Sequence, residues 1–288
     1  MNDLDINEML SLFDKETDIY QRDAVEEALS RRQELTPYLI KIIETVADNP
    51  LIYSLEQRTG HIYAAALLSH FEETAAHLPL IRAFSIPSEQ MEEIWGDMSV
   101  DILPTFLYRT CGGSLEAIME LAANRTVDQY VRSSAMEALS YVVAFQPSRR
   151  DEVIPFLQGL YIGEEAEDDS YLGSYLAGVL CDLHPGESMD TLRRAHEAGM
   201  IHPDFISLEN IEAENAKSPE SVLERFRSQA TTRIPADIHG YFGYLAESNQ
   251  KESVPSPRPN AKRQGKKKTR RVKCKYKAGK KPGKKKRR

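Results

Sequence analysis

Tyr130-Val-Arg-Ser-Ser-Ala-Met-Glu-Ala-Leu-Ser-Tyr-Val-Val-Ala-Phe145 is the stretch whose spacing decides the fold. Val131, Ala135, Ala138, Leu139, Val142 and Val143 fall at i, +4, +7, +8, +11 and +12, which places them on one helical stripe. Tyr171, Leu172, Tyr175, Leu176, Val179, Leu180 and Leu183 repeat the pattern. From about residue 17 to 230 the apolar positions keep this spacing, and no long stretch alternates as a half-buried strand would. The expected fold class is therefore all-α.

Capping chemistry divides the pattern. Thr36-Pro37 and Ser218-Pro219 each set a hydroxyl before a proline whose fixed φ suits a first helical turn. Gly112-Gly113, Pro185-Gly186 and Gly199 mark expected helix ends or turns. The segments group into about six antiparallel pairs: 18–31 with 36–47, 61–72 with 77–85, 89–110 with 114–123, 130–145 with 151–162, 171–183 with 188–199, and 205–215 with 219–229. Pair starts recur roughly every 30 to 43 residues, near the period of HEAT and armadillo solenoids, in which each pair buries its face on the next. The alternative is an irregular helical bundle. Residues 1–16 are expected to be a flexible start, 17–248 the repeat domain, and 249–288 a disordered extension. Within 235–247, Tyr241, Phe242, Tyr244 and Leu245 are expected to close the last repeat.

The net charge of −7 over 288 residues conceals a segregation. Residues 251–288 hold 19 Lys and Arg against one acid, Glu252, while residues 1–250 hold 43 acids against 18 bases. Such asymmetry speaks of partners, not of fold. No apolar run approaches the roughly 18 residues of a membrane-spanning helix. The opening Met-Asn-Asp-Leu-Asp lacks the basic-then-apolar layout of a signal peptide, so a cytoplasmic location is expected. Cys111, Cys181 and Cys274 are few, odd in number and far apart, as suits reduced thiols.

Several stretches together resemble a bacterial family known as domain of unknown function 1186. They are Thr36-Pro-Tyr-Leu-Ile40, His61-Ile-Tyr-Ala-Ala-Ala-Leu-Leu68, Leu80-Ile-Arg-Ala-Phe84, Gly96-Asp97 with Asp101, Tyr130 to Leu139, and Glu197-Ala-Gly-Met-Ile-His-Pro-Asp-Phe-Ile-Ser-Leu-Glu209. The resemblance covers roughly residues 17–230 and implies a HEAT-like α fold without an assigned activity. Members of that family often end in a SEC-C zinc motif. Laid on Cys274, that motif matches Gly279, Lys280, Lys281 and Lys284, but its other ligand positions fall on Tyr276, Lys285 and Lys286. A structural zinc site wants four thiolate or imidazole ligands. Either the motif has decayed or the match follows from lysine-rich composition, and no zinc or other cofactor is expected.

Motifs for the common nucleotide and metal enzymes are absent: no Gly-x-x-x-x-Gly-Lys-Ser/Thr, no Gly-x-Gly-x-x-Gly after a strand, no His-Glu-x-x-His. His70, Glu73 and His77 stand at i, +3 and +7, a spacing that offers two imidazoles and a carboxylate from one helix face; a solvated polar face has the same spacing. Cys181-Asp-Leu-His184 resembles half a metal pair, but Cys181 sits in an apolar stripe and is expected to pack in the core. Cys111 before two glycines reads as a helix stop. Asp97 and Asp101, four apart, either bind a cation or basic segment or serve as a helix cap and a solvated acid; with His70 and His77 they form the candidate groove site.

The basic segment carries the main functional expectation. Residues 262–288 hold 17 Lys and Arg among 27, with Tyr276 the single aromatic. Lys266, Lys267, Lys268, Arg270, Arg271, Lys273, Lys275, Lys280, Lys281, Lys284, Lys285, Lys286, Arg287 and Arg288 are the candidate nucleic-acid-binding residues. Clusters of this kind neutralise phosphates through counterion release, without reading sequence. The expected function is a non-enzymatic adaptor, its acidic repeats binding a protein or peptide and its basic segment binding nucleic acid or a ribosome. Alternatives are an enzyme with an unrecognised site in the repeat groove, a segment that lies on its own acidic body, and nuclear-import clusters at Lys266–Arg271 and Lys284–Arg288. A chain truncated after Asn249 keeps every expected helix. Its circular dichroism should stay helical, with a cooperative melt close to that of the full chain; a melting temperature lower by many degrees would make the basic segment structural.

Overall fold

The first helix starts at a capping motif: the Asp5 amide donates to Glu8 Oε2 at 3.1 Å. In the computed structural model, which describes residues 4–15, 19–56, 58–161 and 171–242, sixteen α-helices follow in order and no strand occurs among the described residues. They are α1 (Ile6–Phe13), α2 (Arg22–Ser30), α3 (Arg32–Asp48), α4 (Leu51–Leu55), α5 (Gly60–His70), α6 (His77–Phe84), α7 (Ser88–Trp95) and α8 (Met98–Asp101). The remainder are α9 (Leu103–Thr110), α10 (Glu116–Ala123), α11 (Gln129–Phe145), α12 (Arg150–Gly159), α13 (Leu172–Asp182), α14 (Met189–Glu197), α15 (Leu208–Asn215) and α16 (Pro219–Arg233). The fold is all-α and solenoid-like, and the segments of the six expected pairs fall on α2 and α3, α5 and α6, α9 and α10, α11 and α12, α13 and α14, and α15 and α16.

Helices α3, α5, α9, α11 and α13 pack one against the next in a row, with α6 against α3 and α9, and α10 against α11. The row is held by large apolar side chains with no exposed surface, among them Leu35, Leu39, Ile43, Leu67, Leu68 and Phe106. At its centre α11 is buried well beyond one stripe: Arg132, Ser133, Ser134, Met136, Ser140 and Tyr141 are buried along with the valines, and Glu137 alone of that stretch is partly exposed. A helix so buried must satisfy its polar groups internally. Ser134 Oγ donates to the Ser99 carbonyl at 2.6 Å and Arg132 Nε to the Ala122 carbonyl at 3.0 Å.

Four boundaries differ from the sequence expectation. The start expected to be flexible carries α1, whose Met9 and Phe13 are completely buried, with Phe13 stacked 4.6 Å from the Tyr63 ring. Asp5-x-x-Glu8 ahead of these two residues was the legible signal. Thr36-Pro37 does not begin a helix: α3 starts at Arg32 and runs through Pro37, and Thr36 Oγ1 bonds back to the Arg32 carbonyl at 2.9 Å. The carbonyl that Pro37 cannot bond belongs to Gln33, an exposed residue. The span 89–110 is three helices, broken where Gly96 takes φ +50 and again just before Pro104, which cannot donate a helical bond. Ser218-Pro219 does start α16 as expected, with Ser218 Oγ accepting from the Ser221 amide at 3.2 Å.

The fourth difference reorganises the molecule. After α16, residues 234–242 form a strap that does not close the last repeat. Its course crosses the row of helices in reverse order. Arg233 pairs with Glu137 of α11 at 2.7 Å, Arg109 of α9 donates to the Pro235 carbonyl at 3.1 Å, and Tyr241 bonds Ser69 of α5 at 3.0 Å. Phe242 then stacks 4.7 Å from the Tyr63 ring and 5.0 Å from that of Tyr20. Tyr244 and Leu245 lie outside the described residues, as does the whole basic segment.

Glycines test the packing in opposite senses. Gly173, second residue of α13, accepts the Tyr161 hydroxyl on its carbonyl at 2.5 Å, and a Cβ there would stand 2.2 Å from the Met200 carbonyl oxygen. Gly178, in the middle of the same helix, has nothing within 4 Å of its Cβ position. Gly173→Ala should destabilise by about 1–3 kcal/mol through overpacking, whereas Gly178→Ala should stabilise by about 0.5–1 kcal/mol through helix propensity. Urea melts of the two variants check both signs.

Candidate functional site

The candidate groove residues are not gathered into one site. Helix α5 ends at His70, Glu72 turns the chain at φ 53, and Glu73 caps the following turn through the Ala75 amide at 3.3 Å. His77 then opens α6, so His70, Glu73 and His77 share no helix face. The Glu73 carboxylate instead approaches Arg32 of α3 at 3.9 Å. Among the described residues, no group of three or more His, Cys, Asp or Glu side chains is placed to hold a metal ion.

His77 is an interior residue. Thr110 Oγ1 donates to the Phe106 carbonyl at 2.8 Å, so it accepts from His77 Nδ1–H at 2.9 Å, and the buried Nε2 is left without a hydrogen-bond partner. Burial pushes the His77 pKa down to about 4. His61 behaves alike: Nε2–H donates to the Ile94 carbonyl at 2.8 Å, its ring stands edge-on to Tyr53 and Trp95, and burial pushes its pKa down to about 4. His70, half-buried, is lowered by burial and then by the Arg109 guanidinium. Neutral imidazoles in an apolar setting are core residues here, and sequence spacing could not distinguish them from ligands.

Asp97 and Asp101 separate too. Asp97 precedes the single turn of α8 without capping it through its side chain, and lines an open depression with Ser88, Glu92, Val100, Asp128 and Tyr130. Asp101 closes the turn, its amide bonding the Asp97 carbonyl at 2.9 Å, and does not line that depression. Asp128 is occupied in part as the cap of α11, accepting from the Tyr130 amide at 2.8 Å. Val100 and Tyr130 remain exposed beside these three carboxylates. The surface suits a cationic or amphipathic segment better than an anion.

Cys181 packs in the core, where burial pushes its thiol up to about 12. Cys111 ends α9, its thiol donating to the Tyr108 carbonyl at 3.2 Å and raised by burial. Neither thiol has the lowered pKa of a nucleophile. Cys274 lies outside the described residues. A polar cluster that sequence reasoning missed joins α11, α13, α15 and α16. Tyr141 donates to Glu137 at 2.8 Å, Arg225 lies 3.9 Å from Asp182 and also pairs with Glu214, and burial pushes the Asp182 carboxyl up to about 6.

Residues 4–240 match the family model described as Protein of unknown function (DUF1186). The chain belongs to the DUF1186 family. Its match begins at α1, ahead of the expected boundary at residue 17, and runs through the strap nearly to Phe242. The basic segment and the zinc-motif resemblance at Cys274 lie outside the match. Relatives include an uncharacterized protein of Chlamydia trachomatis serovar D, 29% identical over 210 residues that cover 73% of this chain and 83% of the relative. A Chlamydia muridarum relative, also an uncharacterized protein, is 29% identical over 210 residues, covering 73% of this chain and 84% of its own. No solved structure matches the chain. Among the described residues no helix is long and apolar enough to cross a membrane.

Two buried histidines and the partly buried Asp182 contribute to the acid response of this DUF1186 protein. His61 and His77 titrate near 4 when folded and near 6.5 when exposed in the unfolded chain, so the unfolded chain takes up protons first. Their stabilisation is complete above pH 6.5 and is lost as pH falls toward 4, on the order of 3 kcal/mol apiece. Asp182 has the opposite sign: raised to about 6, it makes the folded chain bind the proton first and favours folding as pH falls from 6 toward 4. Asp182→Asn should therefore raise the melting temperature at pH 7 and steepen its fall between pH 6.5 and 4.5. Thermal melts across that range read both effects, and a lower melting temperature at pH 7 would refute the sign given to Asp182.

Proposed function

We propose that this protein is a non-enzymatic adaptor: its acidic helical repeats hold a protein or peptide partner, and its basic segment holds nucleic acid, including ribosomal RNA, through the phosphate backbone. The observation that carries the reading is the charge segregation, 17 Lys and Arg among residues 262–288 against 43 acids in residues 1–250. Phosphates gain from the first region by counterion release and are repelled by the second. A single aromatic, Tyr276, leaves little for base stacking, so sequence selectivity is not expected. The depression bearing Glu92, Asp97, Asp128, Val100 and Tyr130 supports a peptide partner on the body, because exposed apolar groups rimmed by charge are typical of interaction surfaces. A cytoplasmic setting accords with the widely spaced cysteines.

If roughly 6–10 basic side chains contact phosphates, affinity should fall by about 10³–10⁵ between 50 and 200 mM salt. RNA and DNA of equal length and mixed sequence should compete about equally, since backbone contacts carry no direct sequence information. Fluorescence anisotropy with the full chain and with a chain truncated after Asn249 measures this. Equal binding by both chains would remove the basic segment as the binding element, and no binding by the full chain at low salt would end the nucleic-acid reading.

A further inference from the structure

Residues 235–242 (Pro-Ala-Asp-Ile-His-Gly-Tyr-Phe) have the anatomy of a bound peptide more than that of a packed helix. Beyond one short turn at Ile238–Phe242 the strap has no regular structure, and it is held mainly by side chains. Its centre is dry: Ile238, Tyr241 and Phe242 are buried, with Phe242 lodged among Tyr20 and Tyr63 and Tyr241 stacked 5.9 Å from Phe106. Its rim is polar: His239 lies 2.6 Å from the Tyr20 hydroxyl and 2.9 Å from Glu26. Because a carboxylate only accepts, the ring's Nε2–H donates to Glu26. Aromatic anchors in a desolvated centre, ringed by hydrogen-bonded polar groups, are how one chain grips another. The strap also touches α9, α2 and α5, through Pro235, His239 and Tyr241, and the face formed by a row of stacked helices is what solenoids offer to partners.

We propose that this face is a peptide-binding groove, that residues 235–242 occupy it as an intramolecular ligand, and that a partner must displace them. The partner segment that fits carries two adjacent aromatic side chains, for the places of Tyr241 and Phe242. An imidazole or another N–H donor stands two residues before them, opposite Glu26. The small residue between reflects Gly240, where a Cβ would stand 2.9 Å from Pro235 Cβ. The inference rests on the reading of the body as a protein- or peptide-binding scaffold, and adds to it where the peptide sits and what keeps it out.

The test uses the full chain and a labelled peptide with the sequence of residues 233–243. Tyr241→Ala with Phe242→Ala releases the strap, and that variant should bind the peptide at least ten-fold more tightly than the unaltered chain, by fluorescence anisotropy. Adding Glu26→Gln, an exposed change, should weaken the gain several-fold. Equal binding to released and unaltered chains overturns the proposal. Tight binding indifferent to Glu26→Gln places the peptide elsewhere on the body, which overturns the groove but leaves the adaptor reading standing. A released chain that dimerises and excludes the peptide makes a second copy the occupant, and overturns the partner assignment. Hydrogen exchange on the unaltered chain decides independently of whether the variant folds. Amides of 238–242 should exchange at least ten-fold faster than the interior amides of α5 and α9, and equal protection would make the strap an ordinary part of the core.

Discussion

The burial of α11 on nearly every side is the constraint on which the remaining structure depends. This helix touches α8, α9, α10, α12, α13 and α16, so its 17 residues form the post around which both halves of the row are laid. An exposed helix can leave its hydroxyls and guanidinium to water. The buried stretch of this one cannot, and Arg132, Ser133, Ser134 and Ser140 each find a carbonyl. Ser134 reaches the Ser99 carbonyl at the turn of α8, and Arg132 reaches the Ala122 carbonyl at the end of α10. The partners of α11 are thus fixed in angle as well as in distance. A buried donor left unpaired costs about 1–3 kcal/mol, comparable to losing a small core side chain.

From that post the chain closes on itself. Arg227 of α16 donates to the Ala144 carbonyl at the far end of α11, at 2.7 Å, and the strap then carries the chain back over α9 and α5 to the residues just ahead of α2. Phe13 of α1, Tyr63 of α5, Tyr20 and Phe242 form a continuous aromatic stack, with centroid separations of 4.6 to 6.5 Å. Residues more than 200 positions apart thereby share one layer of the core. A solenoid built only of neighbouring contacts tolerates fraying from its ends. Here the first repeat is covered by α1 on one side and by the strap on another, so both termini of the family domain are spent on protecting the same aromatic layer.

That closure bears on function. The face of the row is occupied by the chain's own residues, while the acidic depression beside α7 and α8 stays open. Two surfaces of different character result: one aromatic and filled, the other charged and exposed. The buried histidines stand apart from both, since His61 and His77 bond to interior oxygens of the core.

The amino-acid sequence by itself determined the helical class, the run of helical segments and the segregation of charge, because each is written in local spacing or plain composition. The apolar recurrence around Val131 and Leu139 needs nothing beyond the 3.6-residue period. The capping of α16 by Ser218-Pro219 needs only its own turn. Gly96 and Pro104 were equally local signals, and they divide a span that apolar spacing alone had joined. Tertiary structure decided what depends on neighbours distant in sequence. One stripe of apolar residues on α11 says that one face is buried, but only the arrival of α16 and α8 buries the others. His70, Glu73 and His77 looked like one face until the turn at Glu72 separated them. The strap's Tyr241 and Phe242 were legible as apolar anchors, but nothing local says that their pocket lies at the opposite end of the chain. Side-chain periodicity reports which positions avoid water; it carries no information about which other positions keep the water away.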